Sequence, residues 1–159
     1  MTVTLDPFSP EDIGWLVEQH GTHYAQAEGF DSSFGALVAS ILRDFAAGHD
    51  PSRERGFIAW EDGVRLGSIF CVRLDEETAK LRLFFLKPEA RGKGLGKRLL
   101  HANMAFARAA GYRKMVLWTH ESHRAACALY AATGWTLTRS EPVHSFGVDL
   151  VEQAWEIAL

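Results

Sequence analysis

The sequence predicts an α/β (α+β) fold, with one mixed, mostly antiparallel sheet that carries helices on both faces. Helical apolar periodicity comes first, a segment with strand periodicity and tight turns follows, and strand and helix patterns then alternate. The chain has 159 residues and no internal repeat or linker, so we expect one domain over residues 1–159.

Two helices are predicted near the start of the chain. The first runs from about Pro10 to His20, because Ser9 can cap it and Gly21 can end it. The segment from there to Gly29 is expected to be a connection. A second helix is predicted from about Asp31 to Gly48, where apolar residues recur at helical spacing.

Strand periodicity begins at Gly56. A hairpin is predicted from Phe57–Trp60 and Val64–Leu74, because the Asp62-Gly63 pair between them is typical of a tight turn. A third strand, at about Thr78–Leu86, follows the next polar turn. These three strands are expected to form an antiparallel meander.

The rest of the chain alternates between helix and strand. Helical spacing begins after a glycine-rich loop and ends at Gly111. A short buried strand, a helix and two closing strands are then predicted at Met115–Trp118, Ser122–Thr133, Trp135–Arg139 and Val148–Leu159. The long closing strand is compatible with edge pairing into a homodimer, and the sequence leaves the oligomeric state open.

Composition argues against several classes of partner and location. The formal net charge of -3 disfavours nucleic acid, and no apolar run approaches the length that spans a membrane. The first residues lack the basic segment of a secretory leader. Cys71 and Cys127 lie in apolar segments, as buried thiols of a reducing compartment do, so a cytoplasmic location is expected.

The most informative segment runs from Phe84 to Gly96. An apolar run stops at Pro88, and glycines at 92, 94 and 96 precede a helical pattern. Glycine lets backbone N–H groups turn inward, and the first turn of a helix offers unpaired N–H donors at its positive dipole end. The segment therefore predicts a strand, a turn and a site for an anion such as pyrophosphate.

Two common phosphate loops do not fit this spacing. A dinucleotide fingerprint that starts at Gly92 needs glycine at its sixth position, where Lys97 stands. A Walker A loop needs glycine at Arg91 and Ser or Thr at Arg98, where a magnesium-binding hydroxyl would lie. What remains is the pattern Arg-x-x-Gly-x-Gly.

With this pattern the chain resembles the GNAT superfamily of N-acetyltransferases. Residues 91–96 look like its acetyl-CoA pyrophosphate loop, and the run from Ala126 through Tyr130 to Trp135 looks like its second motif. The resemblance covers essentially the whole chain. Three segments, Lys80–Leu83, Leu117–Thr119 and His144–Leu150, are further similar to the acetyltransferase half of bacterial winged-helix-regulator fusion proteins.

The resemblance implies a GNAT fold with a splayed central strand pair and acetyl-CoA as co-substrate. In that family the pantetheine arm pairs with the central strand, and a backbone N–H polarises the thioester carbonyl. The cofactor-binding residues carried over are Phe84, Phe85 and Leu86 of the strand and Arg91, Gly92, Lys93, Gly94, Leu95 and Gly96 of the loop.

The resemblance also suggests a catalytic residue. Tyr130 matches the family's tyrosine beside the cofactor sulfur, where a phenol can protonate the leaving thiolate; the alternative is a half-buried aromatic on a helix face. The base that deprotonates the acceptor stays open among Glu28, His23, His144 and water. His120 and His123 have a metal-ligand spacing without a third ligand nearby in sequence, so no metal is expected.

These observations predict an N-acetyltransferase that moves an acetyl group from acetyl-CoA to a small-molecule or peptide amine. The amine attacks the thioester directly in a ternary complex, with no covalent enzyme intermediate. A non-catalytic acyl-CoA-binding sensor or interaction module is the main alternative. A nucleotide-binding oxidoreductase is a third, and it would require a nicotinamide or flavin to bind better than CoA.

Overall fold

The computed structural model describes residues 2–159. This part of the chain contains seven strands and four α-helices, which confirms the predicted fold class. In chain order they are β1 (Thr4–Pro7), α1 (Ile13–Glu28), α2 (Ser32–Gly48), β2 (Arg55–Glu61), β3 (Val64–Arg73), β4 (Thr78–Leu86), α3 (Leu95–Ala109), β5 (Lys114–His120), α4 (Arg124–Ala132), β6 (Thr136–Ser145) and β7 (Val148–Ala158). The strand order in the sheet is β1-β2-β3-β4-β5-β7-β6.

The described chain divides into two compact units. Unit one consists of the residues up to Phe8, His49–Val116 and Ala158–Leu159, and unit two consists of Ser9–Gly48 and Leu117–Ile157. Strand β5 therefore begins in unit one and ends in unit two. None of the helices within residues 2–159 has the length and apolar character needed to cross a membrane. The expectation of one domain over the whole chain stays a prediction.

Unit one is built on four antiparallel strands. β1 pairs with β2, β2 with β3, and β3 with β4, and β4 then pairs in parallel with the start of β5. Helix α3 packs on β2, β3 and β4 through its apolar side. Its fully buried side chains include Leu99 and Leu100, and the strands contribute Ile58, Ile69 and Phe70. Burial of this apolar face stabilises the unit.

Unit two combines two packed helices with a long hairpin. α1 and α2 bury Leu16, Val38 and Leu42. β6 and β7 pair from Thr136 to Ser145 with one bulge, and α4 packs against β6. Close ring contacts join Tyr130 of α4 to two buried tryptophans (Trp135 and Trp155).

The predicted end of the first helix is wrong. A 3-10 turn at Pro10–Asp12 leads into α1, which continues through the expected connection to Glu28 and ends at Gly29. Gly21 does not end the helix because it is a packing position: a Cβ atom added there would lie 4.0 Å from the Cα of Gly35 in α2. Glycine at this crossing lets two helix backbones approach closely.

Most other predicted elements are confirmed within a few residues. The Asp62-Gly63 turn has the positive φ angles of 50° and 75° expected for a two-residue hairpin loop. The closing hairpin is longer than predicted, because β6 extends to Ser145 rather than ending near Arg139. Strand β1, Thr4–Pro7, was not predicted. Val3 and Leu5 do alternate with polar residues, but the strand is only four residues long and ends in proline.

Candidate active site

The anion loop predicted at Arg91–Gly96 lies in unit one, where α3 begins. Gly92 and Gly94 have φ angles of 78° and 77°, in the left-handed region, and Gly94 is the N-cap of the helix. A Cβ atom on either glycine would meet no atom of the described chain within 4 Å. The loop therefore presents open space to a ligand, next to the N–H donors of a helix start.

A cavity of about 380 Å³ lies beside this loop. Lys93 and Arg98 line it together with Glu61 and Glu89, so its wall carries both signs of charge. One guanidinium nitrogen of Arg98 donates to the Val3 carbonyl at 2.8 Å. Gly94 and Leu95 also line this cavity, so the helix start and its N–H donors face it together with the two cations.

The predicted cofactor strand, Phe84–Leu86, is the end of β4 and leads into the anion loop. The Phe85 side chain is buried in the core. Parallel pairing joins Thr78–Lys80 of β4 to Lys114–Val116 of β5, so Phe84–Leu86 lies beyond this paired segment. Arg91 Nε also donates to the Leu86 carbonyl at 3.4 Å, which connects loop and strand. Cofactor binding by these residues stays a prediction.

β4 contains a bulge just before this segment. Pairing with β3 is interrupted between Phe85 and Arg82, so that Leu83 and Phe84 both oppose Ile69. Leu83 has a φ angle of 49°, a left-handed conformation that bulky side chains avoid. Such strain costs about 1–3 kcal/mol and is concentrated at functional sites.

The predicted catalytic residue, Tyr130, lies in unit two and is only 3% exposed. Its ring centroid is 5.5 Å from that of Trp135 and 6.0 Å from that of Trp155. Burial raises the pKa of the phenol well above its ordinary value. At neutral pH the phenol therefore carries its proton and can act as a donor, whereas it is a poor base.

A polar cluster in unit two joins the end of α1 to the start of α4. Ser122 Oγ donates to Glu28 Oε2 at 2.8 Å, and His123 Nε2 lies 3.4 Å from the same oxygen. His123 Nδ1 and Thr119 Oγ1 are 3.2 Å apart. The Glu28 side chain is 11% exposed and that of His123 is 19% exposed. Water therefore only weakly screens the interaction that Glu28 makes with His123 when the imidazole is protonated.

His120 lies next to this cluster. Its ring is 5.3 Å from that of His123, and it also contacts Phe30 and Phe146. Its Nδ1 atom is buried and has no hydrogen-bond partner among the described residues. Burial lowers the pKa of both imidazoles, while the Glu28 charge partly opposes this shift. Both histidines are therefore neutral at neutral pH and can accept a proton.

The structure separates the three predicted bases by their surroundings. Glu28 belongs to the polar cluster, whereas the ring of His23 contacts Tyr24 on α1 and His144 pairs with Asp149 at 2.9 Å on the exposed hairpin. The sequence spacing of His120 and His123 is typical of metal ligands and did not indicate proton acceptors. The available signal was that both follow a buried strand and precede a helix, where side chains of an α/β site often lie.

Neither cysteine lies in the setting of a nucleophile. Cys71 is fully buried, and burial raises the pKa of its thiol to about 12. The pKa of Cys127 is also raised by burial. Within residues 2–159, no group of three His, Cys, Asp or Glu side chains has an arrangement suited to a metal ion. The absence of a metal cofactor stays a prediction.

Charge is distributed unevenly between the two units. Unit one contains 14 Lys or Arg residues against 9 Asp or Glu, and unit two contains 3 arginines and no lysine against 11 Asp or Glu. The small net charge of the chain thus conceals one basic unit and one strongly acidic unit. Charge segregation of this kind favours ligands of opposite sign.

Residues 13–135 match the model of the acetyltransferase (GNAT) family. A curated relative is the mycothiol acetyltransferase of Geodermatophilus obscurus, which is 30% identical over 86 residues. The match covers 50% of this chain and 28% of that protein, so the chain spans well under half the length of this relative.

Solved acetyltransferase structures share the fold at low sequence identity. The yncA protein of Salmonella typhimurium, solved with its cofactor acetyl-CoA, has a TM-score of 0.76 and 19% identity, over 100% of this chain and 95% of that one. The spermidine N-acetyltransferase of Vibrio cholerae, solved with CoA and spermine, has a TM-score of 0.74 and 16% identity, over 98% and 95%.

The neutral state of the two histidines is directly measurable. In an NMR titration of the imidazole nitrogens, His120 and His123 should both titrate below pH 6.5, because burial disfavours their charged forms. Glu28→Gln should lower both midpoints further by removing a favourable charge. Glu121→Gln is the matched control and should leave them unchanged. Midpoints above pH 6.5 in the unmodified protein would contradict the neutral assignment.

Proposed function

Because the chain belongs to the acetyltransferase (GNAT) family, we propose that it transfers the acetyl group of acetyl-CoA to a cationic amine by direct attack in a ternary complex. The observation that carries the cofactor assignment is the glycine loop at the start of α3, which lies inside the family match. Its left-handed glycines and open face suit a pyrophosphate. The cofactor residues are those predicted, Phe84–Leu86 and Arg91–Gly96.

We assign the handling of the leaving group to Tyr130. When the tetrahedral intermediate collapses, the C–S bond breaks and the sulfur leaves as a thiolate that needs a proton. A phenol kept protonated by burial can supply that proton. The cysteines have raised pKa values, which fits a route without an acyl-enzyme intermediate.

We place the proton acceptor for the incoming amine in the cluster of Glu28, His120 and His123. An alkyl ammonium has a pKa of about 10, so it must lose a proton before its nitrogen can attack. Glu28 can attract the ammonium, and either neutral imidazole can take its proton. His144 is a weaker candidate because it pairs with Asp149 outside this cluster, whereas His23 is near enough for its charge to lower the pKa of His123 and stays a second candidate.

The charge of unit two supports a cationic acceptor. With 11 Asp or Glu residues against 3 arginines, this unit attracts cations and repels anions. An acceptor with a second positive charge besides its reacting amine should be attracted to this unit most strongly. The basic character of unit one fits the several negative charges of CoA in the same way.

The non-catalytic alternative has no support from the related proteins. A sensor would need the glycine loop but no groups for moving protons. The narrower relation to regulator-fused acetyltransferases rests on three short segments and stays a hypothesis, as does the cytoplasmic location.

The cofactor assignment can be tested at Gly94. In Gly94→Trp, the side chain should fill the open face of the loop and strain its left-handed backbone, so CoA affinity should fall at least about 100-fold by calorimetry. Gly111→Trp is a matched control, because Gly111 also has a positive φ and open space but lies just after the C-terminus of α3. Equal CoA affinity in the two variants would exclude the loop as the site.

The role of Tyr130 can be separated from its packing. Tyr130→Phe keeps the ring and removes the proton, so kcat should fall about 100-fold while acetyl-CoA affinity stays within a factor of about two. Tyr112→Phe is the control, since that hydroxyl donates to the Arg53 carbonyl in unit one. An unchanged kcat in Tyr130→Phe would show that Tyr130 contributes only packing and donates no proton in the reaction.

Acceptor charge can be tested with three amines of similar length. We expect kcat/KM to fall in the order putrescine, butylamine and γ-aminobutyrate, with a difference of at least about tenfold between first and last at low ionic strength. Added salt should reduce this difference by screening. Preference for γ-aminobutyrate would contradict a cationic acceptor, and no release of CoA with any amine in a broader panel would contradict amine acetylation itself.

A further inference from the structure

One side chain of the neighbouring strand β3 forms a hydrogen bond that holds the bulge in β4. Ser68 of β3 is completely buried, and its Oγ donates a hydrogen bond of 2.7 Å to the Leu83 carbonyl. A bulge removes its residues from the regular ladder, so its carbonyl groups need other donors. The Ser68 hydroxyl supplies such a donor at the residue whose backbone is in the left-handed conformation.

The residue before Ser68 also shapes this part of β4. A Cβ atom added at Gly67 would lie 2.4 Å from the Phe85 carbonyl oxygen, which is closer than any real contact. Gly67 thus leaves room for the β4 backbone to approach closely, and Ser68 forms a hydrogen bond with that backbone. Both act on backbone atoms of the segment that leads into the anion loop.

The geometry of a peptide bond links this contact to the cofactor. The Leu83 carbonyl and the Phe84 N–H belong to the same planar trans peptide, in which the two groups point in opposite directions. When the Ser68 hydroxyl binds the carbonyl, the Phe84 N–H is directed away from that hydroxyl. An extended ligand would pair with β4 from that side.

We propose that Ser68 is a positioning residue, which fixes the Leu83–Phe84 peptide so that the Phe84 N–H polarises the thioester carbonyl of acetyl-CoA. The inference rests on the proposed function, because it requires the thioester to lie against Phe84–Leu86. Ser68 itself does not touch the cofactor. Its hydroxyl keeps a strained peptide in the orientation that an oxyanion donor needs before the reaction begins.

The test is isotope-edited infrared spectroscopy of acetyl-CoA labelled at its carbonyl carbon and bound without an acceptor. Binding to the unmodified protein should shift the carbonyl stretch to lower frequency, since a hydrogen bond weakens the C=O bond. Ser68→Ala should lose most of this shift and about tenfold in kcat, with CoA affinity within a factor of about two. Ser52→Ala, which removes an exposed hydroxyl in the same unit, should change neither.

A second variant guards against a merely structural effect. Leu83→Gly removes the steric cost of the left-handed backbone, so adding it to Ser68→Ala should restore part of the infrared shift and of kcat. The infrared shift is measured on folded protein with acetyl-CoA bound, so loss of stability alone would not abolish it. An unchanged shift in Ser68→Ala would overturn the inference while leaving acetyl transfer intact. Failure of acetyl-CoA to bind the unmodified protein would instead overturn the proposed function and the inference together.

Discussion

The proposed cofactor site in unit one depends on backbone conformations that most residues avoid. Between the end of β4 and the start of α3, Leu83, Gly92 and Gly94 all have positive φ angles. At Gly92 and Gly94 the chain uses the residue that adopts this conformation without steric cost. At Leu83 it uses a bulky side chain and holds the strained backbone with the buried Ser68 hydroxyl. The direction of peptide groups, more than the identity of side chains, prepares this region for a ligand.

The two units differ in charge in the direction that the proposed roles require. The basic unit carries the anion loop, and the acidic unit carries the groups that we assign to the acceptor and its proton. Without this segregation of charge, polyanionic CoA could occupy the surface that serves the amine, and the amine could occupy the surface that serves CoA. Opposite net charges reduce that competition, because each ligand is repelled by the unit that serves the other.

Sequence patterns predicted those parts of the proposed site that are formed by residues close together in the sequence. The glycine loop was predictable because only glycine commonly signals a left-handed backbone before a helix. The bulge was not, because leucine gives no such signal, although Gly67 inside a predicted strand was a hint of close backbone approach. Gly21 was misread as a helix end since glycine serves both close helix packing and termination. The cluster of Glu28, His120 and His123 depends on contacts across about 90 residues of sequence, which local patterns do not contain.

Buried groups that handle protons argue for catalysis over simple cofactor binding. A phenol, two imidazoles and a carboxylate at least partly removed from water lower the stability of unit two unless their polar atoms are satisfied. His120 Nδ1 lacks a partner among the described residues, and Glu28 faces His123 at an ion-pair distance without an aligned hydrogen bond. A protein that only bound CoA would gain nothing from this arrangement. An acetyltransferase needs one group that gives a proton to sulfur and another that takes one from nitrogen, and the pKa shifts of Tyr130 and of the two histidines have the directions these roles require.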